Sequence, residues 1–354
     1  MIKYLGSKRA LMPVLETLLA ASGATTAVDL FTGTTRVAAS MKQAGMFVTA
    51  VDTASYSEVF SKTFIEIDSS DCDLSELERV VNYLNSLPGS AGYFTEVFCE
   101  KARFFQVANG QRIDVIREVI ESEFRNSWMY FPLLSSLLIA ADKVDSTTGV
   151  QMAYLKSWSR RSFMDLELKV PELIAGKGAS VRGDASEAVS SIGPVDLAYL
   201  DPPYNQHRYF GNYHIWETLV RWDKPEYYGI ANKRLDARDP ANKSAFNSKL
   251  TLPSALEKLI KNLEAKTLLL SYNNESWLSR RELTNMCSGF EQVKILDFDS
   301  KRYVGAKIGG YNQAGELVGK PGASRNLEHI VVAGSESKVT SMVGALATQD
   351  PLMS

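Results

Sequence analysis

An apolar run that stops at an acid and two prolines constrains this chain more than any other feature. The run covers residues 195–200, and Asp201, Pro202, Pro203 and Tyr204 follow it directly. Proline can neither donate to a ladder nor continue a strand, so the pattern predicts a buried parallel strand that ends at the edge of its sheet. Open α/β sheets bind their ligands at that edge. The alternative interpretation is a strand followed by an ordinary Pro-Pro turn.

The same four residues suggest a particular chemistry. The two prolines fix φ, so the Asp201 carboxylate and the Pro202 carbonyl could present two acceptors to one amino group. Tyr204 adds a ring on which a flat base can stack. The tetrapeptide therefore predicts a reaction at the exocyclic amino group of a base, with Asp201, Pro202, Pro203 and Tyr204 as the catalytic residues.

The size and composition of the chain are those of an ordinary globular protein. Its 354 residues, of which 45% are hydrophobic and 23% charged, suffice for one large domain with an insertion or for two domains. No stretch reaches the roughly 18 apolar residues of a membrane span, and Met1 leads into Lys3, Lys8 and Arg9 rather than into a signal-peptide core. We therefore expect a cytoplasmic protein without a membrane partner.

The cysteines and histidines suggest no metal. Three cysteines lie far apart in the sequence, and the three histidines form no helical pair. A disulfide framework and a cysteine-based or histidine-based metal site are therefore not expected.

The net charge of −2 and the pI near 6.1 are not those of a strongly basic nucleic-acid binder. An enzyme of DNA would have to concentrate its positive charge locally. The candidate clusters are Lys156, Arg160 and Arg161; Arg208, Arg221, Lys233, Arg234 and Arg238; and Lys301, Arg302 and Lys307.

Two halves of an α/β pattern flank a helical block. Strand character is predicted at 26–31, 46–51, 180–183, 195–200, 267–271, 293–298 and 328–332, with a helix at 34–44. The block 73–173 is mainly helical and predicts an inserted subdomain between a first part, 1–72, and a second part, 174–334. The small and polar residues of 335–354 predict a flexible tail.

The first strand-to-helix turn predicts a nucleoside site. It contains Gly33 alone, where a dinucleotide fingerprint has three glycines, so there is little provision for a pyrophosphate. Asp52 follows the turn by about 20 residues, at the end of the next strand, where an acid can accept hydrogen bonds from ribose hydroxyls. A cap or turn role for Asp52 is the alternative.

With Asp201-Pro202-Pro203-Tyr204, these residues resemble the S-adenosylmethionine-dependent, adenine-specific DNA methyltransferases of bacterial restriction-modification systems. The resemblance extends from Ile2 to about Gly334, and it includes the segment 205–218 after the tetrapeptide. It implies a Rossmann-like methyltransferase fold, α/β with a seven-stranded, mostly parallel sheet, in which the helical insertion 73–173 recognises the DNA target. It also implies S-adenosyl-L-methionine as cofactor, double-stranded DNA as substrate, and a cognate restriction endonuclease as a further partner.

The family motifs imply a set of cofactor contacts. The segment from Lys3 to Arg9 is similar to the family segment that folds over the methionine end of the cofactor. The turn at 29–33 is similar to the family's glycine loop. The sequence at 183–185 is similar to the family motif whose acid meets the adenine amino group of the cofactor. The cofactor-binding residues implied in this way are Tyr4, Lys8, Asp29, Phe31, Gly33, Asp52 and Asp184. For Lys8, a helix-start or surface position is the alternative.

Six further residues are candidate substrate contacts. His207 and Arg208 lie next to the tetrapeptide, and Tyr272 and Asn273 end a predicted strand where their side chains suit a base edge. Lys301 and Arg302 could contact the DNA backbone. A polar turn at 270–274 and a solvated hairpin at 301–303 are the alternatives.

Three functions remain open from the sequence. The first is site-specific methylation of the exocyclic amino group of a flipped-out adenine in duplex DNA. The second is the same chemistry on DNA cytosine or RNA adenine, and Asp201 disfavours cytosine because the family's cytosine enzymes tend to carry Ser there. The third is a non-catalytic DNA-binding subunit, which the intact Gly33, Asp52 and Asp201 disfavour.

Overall fold

The structure is a computed structural model. It describes residues 1–203, 209–239, 242–274, 276–301 and 325–347. The chain divides into two compact units, of which the first comprises 1–7, 32–188 and 207–244 and the second comprises 8–31, 189–206 and 245–354.

Seven strands form one mostly parallel sheet, in the order β3, β2, β1, β4, β7, β9, β8, and two more form a small hairpin. The strands are β1 (Thr26–Asp29), β2 (Phe47–Asp52), β3 (Gly178–Arg182), β4 (Val195–Leu200), β5 (Tyr227–Tyr228), β6 (Lys233–Arg234), β7 (Ala265–Asn273), β8 (Gln292–Lys301) and β9 (Arg325–Gly334). β4 is parallel to β1 and to β7, and β2 is parallel to β3. β9 is antiparallel to β7 and to β8. The predicted Rossmann-like methyltransferase fold is confirmed.

The helices of the described residues are the following: α1 (Met12–Ser22), α2 (Arg36–Gln43), α3 (Ser55–Ser61), α4 (Leu74–Ser86), α5 (Tyr93–Thr95), α6 (Val107–Phe124), α7 (Tyr130–Val144), α8 (Ala185–Ala188), α9 (Tyr209–Asn212), α10 (His214–Arg221), α11 (Leu252–Asn262), α12 (Arg280–Met286) and α13 (Glu336–Ala347). Short π-helical turns at Lys62–Glu66 and Glu96–Glu100 continue α3 and α5. Single 3₁₀ turns lie at Lys8–Ala10, Ser69–Asp71, Arg160–Phe163, Leu235–Arg238 and Ala245–Asn247. No described helix is long and apolar enough to cross a membrane.

In the second unit, β4 lies between β1 and β7, and its apolar residues are buried. Val28 pairs with Ala198, and Leu200 pairs with Leu270, in parallel register. A near-continuous apolar run suits a strand that is covered on both faces. The carboxyl end of β4 therefore delivers Asp201 to the edge of the sheet, as the sequence predicts.

The first unit contains β2, β3 and the predicted helical block, which holds α4 to α7. The Asp73 side chain caps α4 by accepting hydrogen bonds from the backbone N–H groups of Ser75 and Glu76, as N-cap acids commonly do. α7 carries the most apolar stretch of the block, and most of its residues are buried. The assignment of 73–173 to DNA recognition stays a prediction.

The prediction of a flexible tail from residue 335 is wrong for the segment that forms α13. This helix packs on α1, with Val339 and Met342 fully buried, and the Lys338 ammonium donates to the carbonyl of Ser22 at 2.6 Å. Two apolar residues three positions apart lie on one helical face. That face is sufficient to dock a segment whose composition is otherwise small and polar.

Candidate active site

The end of β4 in the second unit carries a buried cluster of one cation and two carboxylates. The ammonium of Lys8 lies 2.9 Å from the Oδ1 atom of Asp201 and 3.7 Å from the Oε2 atom of Glu328. Lys8 belongs to the 3₁₀ turn before α1, and Glu328 belongs to β9. The Lys8 side chain is 6% exposed and the Asp201 side chain 19%, so the acid keeps some access to a ligand.

The electrostatics of this cluster raise the pKa of Asp201 above its usual value. Burial raises the pKa of Asp201 to about 6, and the neighbouring carboxylate of Glu328 also raises it, whereas Lys8 lowers it. A buried carboxylate avoids ionisation unless a cation or hydrogen-bond donor compensates it. Lys8 provides that compensation, which corrects the interpretation of Lys8 as a surface lysine.

Beside this cluster, the last residues of β7 are part of the sheet rather than of an exposed turn. Tyr272 is fully buried and Asn273 nearly so, and Asn273 lies opposite Glu328 in the antiparallel pairing with β9. The Asn273 Oδ1 atom accepts a hydrogen bond from the Ser276 hydroxyl at 2.5 Å. The alternative interpretation of a polar turn at 270–274 is wrong as far as Asn273, which closes β7, whereas the predicted contact of Tyr272 and Asn273 with the base stays a prediction.

Asp29 ends β1, and Phe31 follows two residues later. Asp29 is buried and accepts a hydrogen bond from the backbone N–H of Phe31 at 3.3 Å. The Phe31 ring packs edge-on against Phe246 at a centroid distance of 5.0 Å. The backbone N–H of Leu30 donates to the carbonyl of Tyr199 in β4 at 3.2 Å, so this turn is fixed to the strand that precedes Asp201.

The glycine turn and Asp52 come together in the first unit. The Asp52 carboxylate accepts backbone hydrogen bonds from Gly33 at 2.8 Å and from Ala54 at 3.0 Å. The Ser57 hydroxyl donates to the Gly33 carbonyl at 2.6 Å. Burial raises the pKa of Asp52, and the backbone bonds from Ala54 and Gly33 oppose that effect. Asp52 therefore braces the turn, as its alternative interpretation anticipated, and it does so at the end of β2 where the ribose acid is predicted.

The backbone of the turn is strained. Gly33 has φ +52° and Thr35, a β-branched residue, has φ +62°, a conformation that is an outlier for such a side chain. A Cβ atom at Gly33 would lie 3.0 Å from the ring of Tyr4. Strain of this kind costs on the order of 1–3 kcal/mol and is concentrated at functional sites.

Tyr4 lies in a cluster of tyrosines above this turn. Its ring stacks on Tyr213 at 4.8 Å and on Tyr209 at 5.3 Å, and meets Tyr56 edge-on at 6.3 Å between centroids. The Tyr213 hydroxyl accepts a hydrogen bond from the backbone N–H of Leu5 at 2.7 Å. Burial raises the pKa of Tyr4 well above its usual value, so the cluster is neutral. The segment 209–213, which follows Asp201-Pro202-Pro203-Tyr204 in sequence, thus contacts residues 4 and 5 through stacked rings and a hydrogen bond.

Asp184 lies at the start of α8. Its Oδ1 atom accepts a hydrogen bond from the backbone N–H of Ser186 at 2.8 Å. The backbone N–H of Gly183 donates to the carbonyl of Asp52 at 2.9 Å. The two predicted acids therefore end neighbouring strands, which is the relation that a shared nucleoside site requires.

The remaining predicted contacts fall outside the described residues. They are Tyr204, His207, Arg208 and Arg302. Lys301 is the last residue of β8, and its side chain is also outside the described part. In the part of the chain that the structure describes, no three His, Cys, Asp or Glu side chains form a group able to hold a metal ion.

The sequence analysis did not identify two acids that bond to residues at these strand and helix ends. Glu328 shares Lys8 with Asp201, and its signal is an acid near the start of the apolar strand β9. Glu217 is fully buried in α10 and accepts hydrogen bonds from the backbone N–H and the hydroxyl of Ser55 at the start of α3. Burial raises the pKa of Glu217. The position of Glu217 on an otherwise apolar face of α10 is a sequence signal for its burial.

Comparison with known proteins agrees with this geometry. The model of the family described as D12 class N6 adenine-specific DNA methyltransferase matches residues 4–286. The chain belongs to this family.

Two curated relatives have related names. The chain is 31% identical over 322 residues to "Modification methylase StsI" of Streptococcus sanguinis, covering 85% of this chain and 48% of that protein. It is 30% identical over 328 residues to "Type II methyltransferase M.NlaIII" of Neisseria lactamica, covering 88% and 95%. The chain thus spans about half the length of the first relative and nearly all of the second.

Among solved structures, a precorrin 8W decarboxylase of Methanobacterium thermoautotrophicum aligns with 91% of this chain and 90% of its own, at 11% identity and a TM-score of 0.29.

Proposed function

We propose that the chain transfers a methyl group from S-adenosyl-L-methionine to the exocyclic amino group of adenine at a specific site in duplex DNA. The observation that carries the proposal is Asp201, which is largely buried at the carboxyl end of β4, followed by two prolines and paired with Lys8. Membership of the adenine-specific family supports the choice of base and of substrate.

The residues of the first unit fit a nucleoside-bearing cofactor. The turn at Gly33 leaves no room for a side chain beside Tyr4, so the backbone itself can approach a ligand. Asp52 would hold the ribose and Asp184 the adenine amino group, while Tyr4 and Gly33 would contact other parts of the cofactor. The family motifs imply Lys8, Asp29 and Phe31, which belong to the second unit, as further contacts. The cofactor supplies a methyl group on a sulfonium centre, and the protein supplies alignment.

The proposed role of Asp201 is to make a poor nucleophile reactive. The lone pair of the adenine amino nitrogen is delocalised into the ring. An ionised Asp201 and the Pro202 carbonyl would accept its two hydrogens, and Pro203 would fix the backbone between this acceptor pair and Tyr204. The nitrogen would then become more pyramidal, and its lone pair could attack the methyl carbon of the donor. The carbon–sulfur bond of the donor would break as the carbon–nitrogen bond forms, and the amino group would lose one of its two hydrogens as a proton. Because the acceptors are fixed before the reaction, they cost no reorganisation when charge develops.

The base must leave the helix to reach these acceptors, at an unstacking cost of a few kcal/mol. Tyr204 would stack on the flipped adenine, a contact worth about 1–3 kcal/mol per base. His207, Arg208, Tyr272, Asn273, Lys301 and Arg302 are the proposed contacts to the base or to the DNA backbone. The helical block 73–173 is proposed to read the target sequence, and the names of the relatives support a cognate restriction endonuclease as partner.

The test is methylation by Asp201→Asn. Sequencing of modified bases in DNA from cells that express the chain should show methyladenine at one short sequence. With duplexes that contain this sequence, transfer of labelled methyl groups by D201N should fall by orders of magnitude at near-normal donor affinity, because the neutral amide lacks the negative charge that stabilises the positive charge developing on the amino nitrogen.

Asp196→Asn is the matched control. Asp196 lies in the same strand β4 but binds Thr25 and Lys266, so D196N should keep its turnover. Parental turnover in D201N would contradict the proposed role, and methylcytosine or methylated RNA alone would contradict the proposed substrate.

A further inference from the structure

The segment 152–164, which follows α7 in the first unit, displays apolar side chains to solvent on a fixed backbone. Phe163 is 68% exposed and Met164 59%. Ser162, before them, is buried, and so is Leu166, which follows the exposed Asp165. Single exposed apolar residues are common on protein surfaces, but two adjacent ones of this size, between buried anchors, form a protruding apolar step.

The backbone of this step is held from two sides. The amide of Asn109 in α6 donates to the carbonyl of Met164 at 2.9 Å and accepts from the backbone N–H of Leu166 at 2.9 Å. The Arg161 guanidinium donates to the carbonyls of Asp145 and Thr147, both at 2.8 Å. The exposure of Phe163 and Met164 is therefore built into the fold.

Cations without an ion-pair partner lie in and against the segment 152–164. The segment contains three cations, of which Arg161 pairs with Asp145, and the exposed acid Asp165 follows it directly. Arg103 lies over the ring of Trp158 at 5.0 Å and donates to the carbonyl of Lys156 at 2.8 Å. Among the ion pairs of the described residues, none involves Arg103, Lys156 or Arg160. A chain with a net charge of −2 thus carries two adjacent exposed apolar side chains on a segment that also contains or contacts three cations outside the ion pairs of the described residues.

The base of the segment is attached to the chain that follows the catalytic tetrapeptide. The backbone N–H of Gln151 donates to the carbonyl of Asn212 at 2.8 Å. The side-chain Oε1 atom of Gln151 accepts a hydrogen bond from the backbone N–H of Ile215 at 2.8 Å. The His214 Nε2 atom lies 3.0 Å from the Gln151 carbonyl, and burial lowers the pKa of His214 to about 3. These hydrogen bonds are buried, so they fix the start of the segment relative to α9 and α10. They are also uncharged at neutral pH.

We propose that the segment 152–164 is a duplex-opening element, in which Phe163 and Met164 wedge between base pairs while Arg103, Lys156 and Arg160 bind the flanking phosphates. The inference rests on the proposed function, since it takes duplex DNA as the substrate. Proteins that kink or open DNA insert apolar side chains between base steps, and the phosphate contacts position them. A protein partner of ordinary composition would not require three uncompensated cations around the apolar step.

The test compares methylation of two duplexes, one with the target adenine paired and one with it mismatched. In the double variant F163A/M164A, single-turnover methylation of the paired duplex should fall about tenfold or more. The loss should be much smaller on the mismatched duplex, because less work is needed to extrude the base. K156Q and R160Q should each reduce the slope of log K against log salt by roughly 0.9.

Two controls match these changes. Ile230, in the loop between β5 and β6, is 69% exposed. The substitution I230A should leave the methylation rate of both duplexes unchanged. Lys261 is an exposed cation paired with Glu257, and K261Q should leave the salt slope unchanged. The melting temperature of each variant shows whether it is folded.

The outcomes separate this inference from the proposed function. If the parent methylates DNA but F163A/M164A behaves like I230A on both duplexes, the wedge is refuted and the proposed function stands. If F163A/M164A changes the sedimentation mass but not DNA opening, the step joins two copies of the chain and the inference is also refuted. A parent that does not methylate DNA would refute the proposed function itself, and the salt slopes would still report whether the segment binds DNA.

Discussion

Replacing Lys8 by Met should move the acidic limb of the pH-rate profile to higher pH. The proposed reaction needs Asp201 ionised, and the pKa of that carboxyl is about 6 while Lys8 lies 2.9 Å away. The substitution K8M keeps much of the side-chain volume but removes the cation. Burial then acts without its main compensation, so the pKa of Asp201 rises further.

The size of the effect follows from the geometry. A hydrogen bond to a charged group is worth about 1.5–3 kcal/mol, and 1.36 kcal/mol corresponds to about one pH unit. The midpoint of the limb should therefore move up by about 1–2 pH units. Glu328→Gln should move it the opposite way, because the Glu328 carboxylate raises the pKa of Asp201.

The assay is single-turnover methyl transfer to the duplex on both sides of pH 6, with donor and DNA at saturation for each variant. Because Lys8 is also a proposed cofactor contact, donor affinity is measured separately by calorimetry. D196N, which alters a carboxylate at the other end of β4, should keep the parental midpoint. If K8M and E328Q both left the midpoint in place, or moved it in the same direction, the cluster would not control the ionisation of Asp201.

Three further predictions follow from the first unit. Gly33→Ala places a Cβ atom 3.0 Å from the ring of Tyr4 at φ +52°, a left-handed conformation that costs an alanine about 1–2 kcal/mol; both the melting temperature and the donor affinity should fall, and an unchanged donor Kd would remove the turn from the site. Asp52→Ala should weaken donor binding by about 1–3 kcal/mol with DNA binding nearly normal, as calorimetry and gel shift can show, and it should also loosen the turn that Asp52 braces. Glu217 has a folded pKa raised by burial, so its contribution to stability is present below the unfolded pKa near 4.3 and is lost as the pH rises through the folded value; in urea titrations the stability of E217Q relative to the parent should therefore increase with pH, and a constant difference would show that Glu217 does not titrate.

Periodicity and punctuation in the sequence predict much of this fold. All seven sheet strands overlap predicted runs, and the central ones, such as β4 and β7, are apolar runs that end at a turn signal. Asp201 and Asp52 both follow such runs, so their position at strand ends could be read directly. Local signals of this kind need no knowledge of distant partners.

The missing parts depend on contacts between distant segments. Lys8, Asp201 and Glu328 meet only because the sheet brings the start of α1, the end of β4 and the start of β9 together. The expected basic cluster shows the same limit: Arg234 is buried and bonded by Asp223 and Asp236. Those acids are close in sequence, but the bidentate pairing is a property of the hairpin fold.

The charge of the Lys8 cluster has a consequence for the proposed reaction. When Asp201 and Glu328 are both ionised, two carboxylates share one ammonium, so the cluster carries a net negative charge in a largely buried place. Methyl transfer to an amino nitrogen places positive charge on that nitrogen in the transition state, and a fixed negative field stabilises that charge more than it stabilises the neutral base. The cation opposes this stabilisation, but without it Asp201 would bind a proton and could not accept from the amino group. On the proposed function, Lys8 thus maintains the ionised acceptor and Glu328 restores the negative field, which explains why the chain places a second acid beside an ion pair that is already formed.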